Sequence, residues 1–187
     1  MEVEITSEGH TRALNRAVAM TVVLLSVFMA VAKIKDDNIV QAMQAAKADI
    51  VDTWNEYQAA RLKLHMNEQT AEILKVQFGE SPPANVVAKL AAIEGEKQRY
   101  QGRADKLAQK AKDLEESYNQ ANMRDDQFDL ADAALAISLS LAAVAALTSL
   151  WWLLYVSWGF GAYGFFMGTA GFAGWSVHPD WLVALLT

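Results

Sequence analysis

The chain has 187 residues, a formal net charge of -6 and no cysteine, which excludes disulfides, thiolate catalysis and cysteine-ligated zinc. Its 16 basic and 22 acidic residues are segregated: 30 of them lie between Asp36 and Asp132, and none falls between Ala17 and Ala32 or between Ala133 and Pro179. The charged middle holds 18 acids against 12 bases, so nucleic acid and anionic lipid headgroups are disfavoured as main partners.

Two solvents are implied. An uncharged helical stretch of about 18 residues or more spans a hydrocarbon core roughly 30 Å thick. Leu14 to Ile34 is expected as a first span, bracketed by Arg12 and Arg16 on one side and Lys33 and Lys35 on the other, which can snorkel to the headgroups. Ala30-Val31-Ala32 also resembles a signal-peptide cleavage site. We read the segment as a retained membrane anchor.

From Asp36 the pattern turns amphipathic. Met43, Ile50, Tyr57, Leu64, Ala71 and Phe78 recur every seven residues, with Ile39, Ala46, Ala60 and Leu74 at the intervening core position. Gly79 and Pro82-Pro83 end this helix, and Ser81 is placed to cap the next. The second arm continues the seam through Val86, Leu90, Ile93, Lys97, Tyr100, Ala104, Leu107, Ala111, Leu114, Tyr118, Ala121, Asp125 and Phe128. A turn this short makes the arms antiparallel, setting Phe78 near Val86, Leu64 near Tyr100, Leu107 opposite Tyr57 and Ile50 near Leu114. Trp54, Tyr57, Leu64, Tyr100, Leu107 and Leu114 are the expected anchors of this seam. Each arm would reach on the order of 65 to 70 Å from the membrane.

A second span is expected from Ala133 to about Val156, ending in the interfacial rings Trp151, Trp152, Tyr155 and Trp158. A turn at Gly159 to Gly161 then leads to a third span ending near Val177, followed by a break at His178-Pro179-Asp180 and an apolar tail, Trp181 to Leu186. The expected fold is thus an all-α membrane protein: three transmembrane helices with a long antiparallel coiled-coil hairpin between the first and second. Its divisions are 1–35, 36–130 with the turn at 79–83, and 131–187.

Gly161, Gly164, Gly168 and Gly171 line one helix face, which suits close packing of helices either within the chain or between subunits. They sit in an apolar span with no preceding strand, so a phosphate cradle is excluded. Gly95 and Gly102, seven apart on the exposed face of the second arm, are either simply tolerated in a long helix or mark a place where a neighbouring subunit's helix approaches.

Asp36, Asp37, Asp125, Asp126, Asp129 and Asp132 gather at the hairpin base, either as a solvated end partly neutralised by Lys33, Lys35 and Arg124 or, in a ring of subunits, as an acidic collar. His10, His65 and His178 have no second ligand at helical spacing, so neither a metal site nor a catalytic dyad can be assembled from them. No Asp, Glu, His, Lys or Arg lies between Ala17 and Ala32 or between Ala133 and Val177, where a proton-coupled pump would need an ionisable group.

The stretch Asp52-Thr53-Trp54-Asn55-Glu56-Tyr57-Gln58-Ala59-Ala60-Arg61, placed between an N-terminal span and two C-terminal ones, resembles a bacterial membrane family known as a domain of unknown function, family 4337. Ala60 stands where that pattern would have a lysine, which weakens its basic character. The resemblance implies a bacterial cytoplasmic membrane and supplies no activity.

The expected function is that of a structural or interaction protein, not an enzyme and without a cofactor. It forms a homo-oligomer in membrane lipid with projecting hairpins, compatible with membership of a larger membrane complex. The alternative is an oligomeric cation channel with the acidic collar at its mouth. Lys33, Lys35, Lys47 and Arg124 on the hairpin side, against Arg12 and Arg16 on the other, favour a cytoplasmic hairpin.

Overall fold

The computed structural model describes residues 2–177 and 179, with side chains from Thr11 onward. The break at 178–180, apart from Pro179, and the tail 181–186 lie outside the described residues, as does the side chain of His10. Three helices follow one another: α1 (Glu2–Phe78), α2 (Ala84–Thr148) and α3 (Trp151–Ala173). Both α1 and α2 contain stretches long and apolar enough to cross a membrane. The glycine, tryptophan and tyrosine of α3 lower its hydropathy, and it is not among these.

The chain divides into two compact units, one of residues up to Met43 together with those from Gln120 onward, the other Gln44–Asn119. The second unit is an antiparallel helical pair. Ala60, Leu64 and Ala71 of α1 and Val86, Ile93, Ala104 and Ala111 of α2 are all buried. Two slots of the α1 seam that the apolar pattern leaves unfilled are taken by polar residues, Thr53, which is buried, and Asn67, which is half-buried.

Cross-arm contacts fix the register. Trp54 Nε1 donates to Glu115 Oε1 at 2.8 Å, Arg103 pairs with Glu56 at 3.0 Å, Asn67 Nδ2 donates to Glu96 Oε2 at 3.2 Å, and Lys63 lies over the Tyr100 ring at 5.6 Å. The Trp54 and Tyr57 rings meet edge to face at 5.3 Å. Gly79 closes α1 with φ +57°, its amide bonded to the Lys75 carbonyl at 3.0 Å. The Pro83 carbonyl accepts the amides of Val86 and Val87, so the cap position of α2 falls on Pro83 rather than on Ser81.

In the first unit, α3 runs antiparallel to α2 and parallel to α1. The turn expected at Gly159–Gly161 is not there. Helix α2 ends at Thr148, Ser149 takes a left-handed φ of +58°, and α3 starts at Trp151, so Trp151, Trp152, Tyr155 and Trp158 open α3 instead of closing α2. Gly159 and Gly161 are both helical; Gly161 lies on the contact surface of α3, where a Cβ would fall 3.0 Å from Leu25 Cδ1 and from Ser138 Oγ, whereas nothing lies within 4 Å of one at Gly159.

Leu14 and Val18 of α1, Ala142 and Ala145 of α2 and Leu154 of α3 form one core cluster. Ser138 Oγ donates to the Ser157 carbonyl at 2.7 Å and Ser157 Oγ donates to the Ser138 carbonyl at 2.8 Å, joining α2 to α3 by two reciprocal bonds. On the outer side of α1, Met20, Val23, Leu24, Val27, Val31 and Ile34 are each more than half exposed.

Candidate functional site

Lys33 and Asp36 stand three apart on α1, which puts them on one helix face. Asp125, Asp129 and Asp132 occupy the facing side of α2 by the same spacing rule. The first unit therefore brings together the acids that the sequence places at the hairpin base, but not as a uniformly solvated collar. Asp36 points inward and is only 2% exposed, whereas Asp37 is exposed.

Lys33 Nζ donates to Asp36 Oδ2 at 2.7 Å and approaches Asp37 Oδ1 at 3.7 Å. Asp36 Oδ1 is buried with no donor. A small cavity of about 10 Å³ beside it, lined by Met29, Ala32, Lys33, Asp36, Phe128, Asp132 and Leu135, is close to the room one water needs.

Burial pushes the Asp125 carboxyl up to about 6, and a hydrogen bond to Asp36, with the nearby charges of Asp129, Asp36 and Asp126, pushes in the same direction. Asp129 is also raised, first by burial and then by Asp36. When Asp125 is protonated its O–H can donate to Asp36, a bond that an ionised Asp125 cannot make. Among the described residues the charged groups near the pair lie on two helices, Lys33 and Asp37 on α1 and Asp126, Asp129 and Asp132 on α2, and α3 carries none. Among the described residues no group of three or more His, Asp or Glu side chains is arranged to hold a metal ion.

The glycine face lies inside the chain. A Cβ at Gly164 would fall 2.8 Å from Leu135 Cγ, one at Gly168 2.7 Å from the Phe28 ring, and one at Gly171 2.9 Å from the Phe128 ring. All of these contacts are with α1 or α2 of the same chain. Gly95 and Gly102 differ: nothing lies within 4 Å of either would-be Cβ. Of the seam residues, Leu64 is buried and Trp54, Tyr57, Tyr100, Leu107 and Leu114 are half-buried.

One polar residue escaped sequence reasoning. Gln127 is fully buried, its Nε2 donating at 2.7 Å to each of the Trp175 and Val177 carbonyls. A two-helix heptad pattern has no place for a third helix, and Gln127 sits next to the seam position Phe128 on the side that α3 covers. The one available signal was an amide among the hairpin-base acids.

The family model described as a domain of unknown function (DUF4337) matches residues 14–174. The chain belongs to that family. The match begins at Leu14, buried in the core cluster, and ends at Gly174, which caps α3 with φ +67°, so it takes in all three helices. No curated protein and no solved structure matches the chain.

Proposed function

We propose that the chain is a multi-pass protein of a bacterial cytoplasmic membrane, and that it works as a self-associating scaffold rather than as an enzyme. In this reading the apolar parts of α1 and α2 and the uncharged α3 cross the bilayer, and the exposed α1 side chains from Met20 to Ile34 meet lipid. The charged hairpin lies in water on the cytoplasmic side. Protease added to intact spheroplasts tests that orientation: cleavage within residues 44–119 would place the hairpin outside.

One observation carries the self-association. Within the charged hairpin Leu62, Met66, Ile73 and Val76 are more than half exposed, on a segment whose other outward positions are polar. Water is an unfavourable solvent for such a row, and a slender helix pair has no further layer of its own to cover it. The experiment is the native mass of the detergent-solubilised full chain. A defined multiple of the 20.6 kDa chain is expected, and a strict monomer would sink the proposal.

A further inference from the structure

We infer that the two outer edges of the hairpin are complementary, so that the α1 edge of one copy docks on the α2 edge of the next. This rests on the self-associating reading above and names the faces that do it. On α1, Leu62, Met66, Gln69, Ile73 and Val76 follow one another at alternating spacings of four and three, on the side opposite the buried seam residues Leu64 and Ala71. They form a ridge.

On α2 the side opposite Val86 and Ile93 carries Ala84, Ala88, Ala91, Gly95 and Gly102, all exposed and at the same alternation once Gln98, between the two glycines, is counted. They form a trough, and Gly95 and Gly102 open it further, with 4 Å of free space around each missing Cβ. Glycine weakens a helix relative to alanine, and close approach of a neighbouring helix is what makes such positions useful.

Level matters as much as size. The register set by Asn67 with Glu96 and by Lys63 with Tyr100 brings Leu62 level with Gly102, Gln69 with Gly95, Ile73 with Ala91, and Val76 with Ala88. Copies held in one membrane with their hairpins parallel keep those levels. Each large ridge residue of one copy then meets a small trough residue of the next, with Met66 opposite Gln98 as the exception.

Pairing two α1 ridges would leave both troughs bare. The flanks carry like charge, Glu72 lying close to the neighbour's Glu94, so the contact is one of apolar packing and tightens as salt screens that pair. An edge-to-edge contact of this kind is head-to-tail, and it builds a ring or an open array, not a closed dimer.

The chain has no cysteine, which makes introduced thiols the only ones. The full-length double variant Gln69→Cys with Gly95→Cys, oxidised in membranes, should give a ladder of disulfide-linked dimers and higher multiples. The two positions lie on opposite edges of one hairpin and cannot join within a chain. A second pair, Val76→Cys with Ala88→Cys, should give the same ladder and guards against misfolding of the first.

Either single variant alone should give no multiples. Dimers from Gln69→Cys alone would overturn the inference in favour of ridge-to-ridge pairing. No ladder from either pair would also overturn it. In both cases a native mass that is still a multiple leaves the scaffold reading standing, while a monomeric mass removes both.

Discussion

Gly164 of α3 and Leu135 of α2 touch where a methyl group would not fit, because a Cβ at position 164 would lie 2.8 Å from Leu135 Cγ and 3.0 Å from the Ala131 carbonyl oxygen. Backbone cannot swing aside as a side-chain tip can. Gly164→Ala should therefore destabilise the unit by about 1 to 3 kcal/mol, the usual cost of overpacking a close-packed site. Gly168→Ala should cost less, since only the far edge of the Phe28 ring must move. Melting followed by helix signal in detergent ranks the two, and equal effects would show that the α2–α3 contact is looser than described.

Leu107 is half-buried on the α2 seam, level with Tyr57 by the register of the cross-arm contacts. Leu107→Asp removes burial worth about 2 kcal/mol and adds the cost of a desolvated carboxylate. The hairpin should melt earlier while membrane insertion is retained, because no apolar span is touched. Unchanged melting would remove the antiparallel pairing of the arms.

Asp125 ties stability to pH. Its carboxyl titrates at about 6 in the folded chain against 3.8 as the ordinary value, so the folded state holds the proton more tightly. The sign follows from linkage: a carboxyl raised on folding favours the fold when protonated, and that advantage is lost as pH rises from about 4 through about 6. Melting should thus be higher at about pH 5 than at about pH 8. Asp125→Asn, which keeps a donor toward Asp36 at any pH, should flatten most of this dependence, with a remainder from Asp129. A full-sized dependence in the Asn variant would move the effect to another group.

The seam was legible because a heptad repeat is a direct image of helix geometry: every third or fourth residue must face the partner, and Val86, Ile93, Ala104 and Ala111 do so in both sequence and structure. The α2–α3 turn was not. Gly159 and Gly161 look like punctuation in an apolar run, while Ser149, which makes the turn with a left-handed backbone, has no glycine or proline to announce it. Composition cannot separate a glycine that bends a chain from one that lets two helices close. Only the neighbour, Leu25 or Leu135, distinguishes them. The inward turn of Asp36 was hidden for the same reason, since charge alone reads as surface until Lys33, Asp125 and the layer around Phe128 are in place.

Gln127 secures the chain just beyond α3, and its removal should act there first. Its Nε2 donates to two carbonyls, those of Trp175 and Val177, immediately after the left-handed Gly174. Gln127→Met keeps the volume but removes the donor to those carbonyls, a loss of about 0.5 to 1.5 kcal/mol per hydrogen bond. Gln127→Glu places an ionised carboxylate against two carbonyl oxygens, so it should be worse than Met at neutral pH and recover on acidification, when the protonated acid can donate to one of them. Hydrogen exchange of the Trp175 amide, bonded to the Ala170 carbonyl at 3.0 Å, reports on the local opening. Exchange there should accelerate in the order Gln, Met, Glu, while amides of the hairpin between Gln44 and Asn119 stay at wild-type rates. An acceleration spread evenly over both units would show instead that Gln127 supports the whole fold and not the segment beyond α3.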